Sequence, residues 1–333
     1  MLRICYLEAT SVDSSPCDTP SFDEGGTEVD PIIVRNLHKS FGAHRALRGI
    51  SFSAARGEVL AILGPNGAGK TTMVEILQGY LPATRGEVSV FGYEPLRAGP
   101  ALRERTGAVL QVSSLYDELT VRETLELFAG YYARPRAPRE VIDLVQLAGK
   151  ADVRVGALSG GEKRRLDFAL AVVGDPDLLF LDEPTTGFDV EVRRKFWGDI
   201  AVFAASGKTV ILTTHYLEEA QRLADRVLVL NQGRIIAEGP PNQLGKPITT
   251  IRFNLPESRR PTDFPEALRQ QATVTGNAVT IDTETPEVTL SVLTSWARTN
   301  RISLEHLEVK KPSLEQAYLE LLAEGSTEEV VQQ

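Results

Sequence analysis

Nine consecutive residues, Gly64-Pro65-Asn66-Gly67-Ala68-Gly69-Lys70-Thr71-Thr72, carry the most specific chemistry in the chain. They follow an apolar run, Glu58 to Leu63, that reads as a buried strand. They precede a helical stretch with Met73, Val74 and Leu77 on one face. Strand, glycine-rich loop and helix in that order form a phosphate-binding loop. Its glycines let backbone N–H groups turn inward around the β- and γ-phosphates of a nucleotide, and the helix adds the positive end of its dipole. Lys70 supplies a mobile positive charge, and the Thr71 hydroxyl is suited to ligating Mg²⁺.

A second strand, Leu178 to Leu181, delivers Asp182 and Glu183 at its carboxyl end, where parallel sheets bind their ligands. Two adjacent carboxylates there are ordinarily a helix cap or a solvated turn. Beside a phosphate loop they divide the work differently: Asp182 holds the metal through water and Glu183 polarises an attacking water as general base. A third feature, Ser159-Gly160-Gly161-Glu162, is a capping box at the start of a helix whose apolar positions are Leu166, Ala169, Leu170 and Val173. A cap needs the serine and the glutamate. It does not need two glycines, which weaken a first turn but let an anion approach closely.

Short β-branched runs alternate with amphipathic segments from Pro31 onward: Glu58 to Leu63, Leu178 to Asp182, Thr209 to Thr214 and Arg226 to Leu230. This alternation predicts an α/β fold with a largely parallel sheet. After about Gly245 the texture changes to a run Thr249 to Phe253 and two β-type runs around Gly276-Asn277, a pair suited to a hairpin turn. A capping box at Ser313 then opens a helix with Leu314, Tyr318, Leu321 and Leu322 on one face. The expected organisation is an acidic, disordered extension over 1–30, a nucleotide-binding domain over 31–245, a small α+β domain over 246–325 and a tail over 326–333.

Among 333 residues, 36 Lys+Arg stand against 45 Asp+Glu, a net charge of −9. Residues 1–30 alone carry a net of −6, with seven acidic residues and one basic one, which leaves −3 for the rest. A near-neutral body lacks the basic face of a nucleic-acid binder, so no nucleic-acid partner is expected. Both cysteines, Cys5 and Cys17, fall in the extension, which argues against a disulfide framework and for a reducing compartment. No apolar run approaches the roughly 18 residues of a membrane span, and the start is too short in apolar residues for a signal peptide. Basic clusters at Lys163-Arg164-Arg165 and Arg193-Arg194-Lys195 read as exposed helix faces.

The order and spacing of these motifs resemble the nucleotide-binding subunit of an ATP-binding cassette (ABC) transporter over about residues 31–245. The resemblance implies a P-loop NTPase core with a helical subdomain at about 112–175, binding ATP and Mg²⁺. It implies that Ser159, Gly160 and Gly161 complete the site of an opposite subunit, so that two ATP molecules lie in a head-to-tail homodimer. It assigns Gln111 to the loop that senses Mg²⁺ and the membrane partner, His215 to the switch that contacts the γ-phosphate, Phe41 to adenine stacking, and Asp189 to the loop crossing the dimer interface. The segment opening at Thr120-Val121-Arg122-Glu123, another capping box with Val121, Leu125, Phe128 and Tyr132 on one stripe, is similar to the family's helical subdomain.

Residues from about Thr249 to Gly325 resemble, less specifically, the accessory domain of daunorubicin-resistance-type exporter ATPases. That implies an ATPase powering export of a drug, lipid, polysaccharide or ion through permease subunits on separate chains, located in the cytoplasm on the inner face of the membrane. The alternatives are a non-transport ABC ATPase acting on nucleic acid or ribosomes, and an importer ATPase.

Overall fold

The computed structural model describes residues 30–109, 115–244, 248–256, 264–269, 271–310, 314, 315, 318, 319 and 322. The expectations for the extension, for Gln111, for Ser313 and Leu321, and for the tail lie outside the described residues; only Asp30 of the extension is within them.

The described residues begin with an antiparallel hairpin, β1 (Ile32–Phe41) and β2 (His44–Ala54), which the sequence reading did not place. Ile32 and Val34 point inward two residues apart, and the register shift between Val34 and Leu37 returns Leu37 to the buried face. Next come β3 (Val59–Leu63), buried along its whole length, the phosphate loop and α1 (Lys70–Leu77). Strand β4 (Arg85–Val90) returns to β1, giving a three-stranded sheet ordered β2-β1-β4. After α2 (Pro100–Arg103) and β5 (Thr106–Val109), two helices lie outside the sheets, α3 (Val121–Ala129) and α4 (Pro138–Leu144). Then follow α5 (Gly160–Val172), β6 (Leu178–Asp182), α6 (Val190–Ala205), β7 (Thr209–Thr214), α7 (Leu217–Leu223), β8 (Arg226–Asn231) and β9 (Arg234–Gly239).

The main sheet is ordered β5-β6-β7-β3-β8-β9, parallel except for β9. Strands β3, β6 and β7 are buried on both faces, so they read as continuous apolar runs rather than alternating ones. Alternate side chains feed two cores. Leu179, Leu181, Val210 and Leu212 pack with α3, α4, α5 and α6 on one face. Leu60, Ile62, Phe180 and Ile211 pack with α1 and the antiparallel sheet on the other.

Strand β10 (Thr249–Asn254), α8 (Glu266–Arg269), β11 (Ala272–Thr275), β12 (Ala278–Thr283), α9 (Pro286–Thr299) and β13 (Glu305–Lys310) form a separate α+β unit. Its antiparallel sheet is ordered β11-β12-β10-β13, and the expected turn at Gly276-Asn277 joins β11 to β12. Ile251, Phe253, Val279 and Ile281 meet Leu293 of α9 in its core. Leu314 does not join that core. It is buried against Ala220, Val227 and Val229 of the unit built on the main sheet, with Tyr318 beside it. No helix among the described residues is long and apolar enough to cross a membrane.

Candidate functional site

The phosphate loop is shaped by backbone contacts that exclude side chains. A Cβ on Gly64 would sit 2.3 Å from the Leu230 carbonyl oxygen. At Gly69, φ is +106°, and a Cβ would lie 2.7 Å from the Ala46 carbonyl oxygen. Gly69 precedes α1 without a side-chain cap, so the first-turn N–H groups of that helix are not claimed by a capping side chain. Such a helix start is an anion site.

Lys70 is 4% exposed and donates to the carbonyl oxygens of Gly64 at 2.8 Å and Pro65 at 3.1 Å. Its Nζ also lies 3.0 Å from Glu183 Oε1, and Glu183 Oε2 lies 3.3 Å from His215 Nδ1. Lys70, Glu183 and His215 therefore form one contiguous chain. Glu183 adopts φ +45°, a left-handed conformation that costs a non-glycine residue about 1–3 kcal/mol. Its N–H donates to the carbonyl oxygen of Thr213 at 3.1 Å and to the Thr213 hydroxyl at 3.0 Å, which holds the strained turn.

Asp182, nearly buried at the end of β6, accepts a short hydrogen bond from the Thr213 hydroxyl and a long one, 3.5 Å, from the Thr71 hydroxyl. A hydroxyl and a carboxylate are hard oxygen donors, the kind Mg²⁺ prefers. No group of three or more His, Cys, Asp or Glu side chains converges on a metal site among the described residues. The Thr71 and Asp182 oxygens would leave the remaining ligands of such an ion to phosphate and water.

The Ser159 capping box is present as expected. Ser159 Oγ accepts from the Glu162 N–H at 3.3 Å, and Glu162 accepts from the Ser159 N–H at 2.9 Å. The Ser159 N–H donated to it holds the Glu162 carboxyl below its usual range. A Cβ on Gly160 would meet nothing within 4 Å, whereas one on Gly161 would lie 2.8 Å from Val192 Cγ1. Among the described residues neither Ser159 nor Glu162 bonds to the phosphate loop of its own chain. Asp189 caps α6 by accepting from the Val192 N–H at 2.9 Å. Phe41 ends β1 with a half-exposed ring, and Lys39 Nζ stands 4.9 Å from its centroid.

One expectation needs correction. Lys163-Arg164-Arg165 is not an exposed face, because α5 is enclosed on most sides by the helices around it. Arg164 is 9% exposed and donates through Nε to the Pro184 carbonyl oxygen at 2.9 Å, and burial lowers its pKa. Arg165 faces the buried Asp199 of α6. Arg193 is likewise engaged, its guanidinium 4.4 Å from the Tyr216 ring centroid. Two polar residues at the site escaped the sequence reading: Thr213, the β7 neighbour of Asp182, and Glu219 of α7. The signal for Thr213 was a hydroxyl at the carboxyl end of the run Thr209 to Thr214, after Val210, Ile211 and Leu212, but its partner is named only by strand register.

The sequence matches the family described as ABC transporter over residues 47–186, and that described as ABC transporter domain-containing protein-like, C-terminal domain, over residues 249–313. It is 40% identical over 299 residues to a Nod factor export ATP-binding protein I of Rhizobium sp. (strain N33), covering 87% of this chain and 96% of that one. The protein of that name from Burkholderia lata is 45% identical over 222 residues, covering 65% of this chain and 73% of that one. Among solved structures, an ATP-binding subunit of an ABC transporter superposes with a TM-score of 0.58 at 29% identity, covering 64% of this chain and 91% of that one. The cbiO1 protein of Clostridium perfringens, part of an ABC transporter complex, does so with 0.59 at 28%, covering 65% and 90%.

Proposed function

Since the chain belongs to the ABC transporter family as an ATP-binding subunit, an ATPase, we propose that Lys70, Glu183 and His215 are its hydrolytic centre. The contiguous chain of side-chain contacts at the uncapped start of α1 carries this reading. Nucleotide phosphates seat on residues 64–72, where the loop amides and the helix dipole favour negative charge. Lys70 then exchanges its contact with Glu183 for the phosphates, which frees the Glu183 carboxylate to orient and deprotonate the attacking water. His215, already 3.3 Å from Glu183, spans from that base toward the terminal phosphate.

Thr71 and Asp182 would hold Mg²⁺, with Gln111 assigned to the same ion; when bound it neutralises charge on the phosphate oxygens. Phe41 offers its ring to the adenine. Ser159, Gly160 and Gly161, which do not bond to their own phosphate loop, serve the site of a second copy in a head-to-tail dimer with Asp189 at the interface. ATP binding closes that dimer and hydrolysis reopens it.

The work is done on permease subunits. The helical subdomain, about 112–175, together with Gln111 forms the surface that receives a membrane subunit, which holds this chain at the cytoplasmic face. The relatives' names favour export over import, and the cargo is recognised by the permease. Residues 246–325 form an accessory domain. Glu183→Gln is expected to abolish turnover while retaining ATP binding and accumulating the ATP-bound dimer, as measured by phosphate release and gel filtration. Hydrolysis at the wild-type rate in that variant would refute the assigned base. ATP-loaded Glu183→Gln protein should retain a polytopic membrane protein from solubilised membranes; recovery of ribosomes or nucleic acid instead would overturn the transport reading.

A further inference from the structure

Glu219 has no exposed surface, although it is an acid on the seven-residue helix α7. Its Oε1 accepts from the Thr185 hydroxyl at 2.9 Å and from Trp197 Nε1 at 2.8 Å. The Thr214 hydroxyl also interacts with the carboxyl. Oε2 is buried without a hydrogen bond of good geometry. A half-satisfied buried carboxyl costs stability compared with an apolar residue of the same size. Burial pushes its pKa up, against the three hydrogen-bonding groups and Arg193, which favour the charged form.

The partners of Glu219 lie on both walls of the hydrolytic centre. Thr185 is two residues after Glu183, in a segment whose Pro184 carbonyl is held by Arg164. Thr214 immediately precedes His215, and its Oγ1 accepts from the Tyr216 N–H at 2.9 Å, so the turn that carries the histidine is closed around that hydroxyl. One carboxyl thus joins the backbone that carries the base to the backbone that carries the switch. Trp197 anchors both to α6, whose N-terminus is capped by Asp189.

We propose that Glu219 is a positioning residue that fixes the register between Glu183 and His215 by holding Thr185 and Thr214 at once. The inference rests on the ATPase reading above. It makes the closing of the switch turn around the γ-phosphate and the position of the base one coupled movement, with α6 as the lever that reports the state of the opposite site.

Glu219→Gln keeps the volume and one acceptor oxygen but replaces Oε2 with an NH₂ group. The amide NH₂ cannot take the proton of the Thr214 hydroxyl, whose Oγ1 already accepts from the Tyr216 N–H, so the hydroxyl must turn. In the purified full chain, kcat for ATP should fall roughly tenfold, as a misplacement of reacting groups by a fraction of an ångström would cause. KM and ATP affinity should stay within about twofold, since no nucleotide contact is removed.

A double-mutant cycle gives a readout that a merely structural role would not move. In a His215→Ala background, Glu219→Gln should cost less than about twofold further, because the group it positions is gone. The same factor in both backgrounds, or KM changing as much as kcat, overturns the proposal. Thr214→Val, which removes the hydroxyl and keeps the shape, should reproduce the kcat-only loss, and it decides the matter if Glu219→Gln does not fold. If Glu183→Gln abolishes turnover while kcat ignores Glu219→Gln and Thr214→Val, only the positioning role fails. Turnover that survives Glu183→Gln instead removes the reading beneath it.

Discussion

Asp199 offers the most quantitative test of the forces in this fold. It is 2% exposed on α6, accepts from Gln146 Nε2 at 3.1 Å, and faces Arg165 Nε at 3.7 Å, while its Oδ2 has no hydrogen-bond partner. Burial raises its pKa from 3.8 to about 6, against the pull of Arg165 and Gln146 toward the charged form. The folded-state pKa is above the unfolded one, so the stability it contributes is fully present below the unfolded value. That contribution is lost as pH rises through about 6.

Between about pH 5 and about pH 7.5 the unfolded chain gains more from ionising this group than the folded chain does, and the difference amounts to about 1.4 kcal/mol. Asp199→Asn keeps the acceptor for Gln146 and cannot ionise. At the lower pH the wild-type carboxyl is mostly neutral too, so Arg165 lacks a full counter-charge in both proteins. Urea denaturation of both proteins at the two pH values should therefore show the variant gaining about 1.4 kcal/mol relative to wild type at the higher pH. A stability difference that is the same at both pH values, or that moves the other way, refutes the argument that desolvation dominates at Asp199.

Two further predictions test the framework around the site. Gly64→Ala places a methyl group 2.3 Å from the Leu230 carbonyl oxygen, and because that oxygen belongs to the rigid β8 it cannot move aside. The loop should open, with nucleotide binding lost in a fluorescent-ATP titration; unchanged affinity would contradict the close approach. Leu314→Ala should lower stability by about 2–3 kcal/mol in urea denaturation by leaving a cavity against Ala220, Val227 and Val229. A change below about 0.5 kcal/mol, the range of an ordinary surface substitution, would show that this residue does not pack there.

The groups proposed to act directly on a nucleotide stood out in the sequence because their chemistry is local. A phosphate loop needs glycines, a lysine and a hydroxyl within nine residues of one strand-to-helix turn, and sequence spacing displays that requirement whole. The same holds for the capping boxes at Thr120 and Ser159, whose two bonds close within four residues and are both present. The parallel sheet was legible from β3, β6 and β7, since strands buried on both faces leave continuous apolar runs.

Features set by contacts between distant segments were not legible. The exposure of Lys163-Arg164-Arg165 was misjudged because a helix surrounded on most sides carries its charges against other elements, and nothing in its own spacing names Pro184 or Asp199. Thr213 became a partner of Asp182 only through the register of β6 and β7, and Glu219 met Thr185 and Trp197 only once α6 and α7 packed together. The amino-acid order by itself determined which residues are proposed to bind phosphate and hold a base. Only the tertiary structure decided which buried polar groups stand beside them, because a hydrogen bond across 22 or 34 residues depends on packing and leaves no periodicity in the chain.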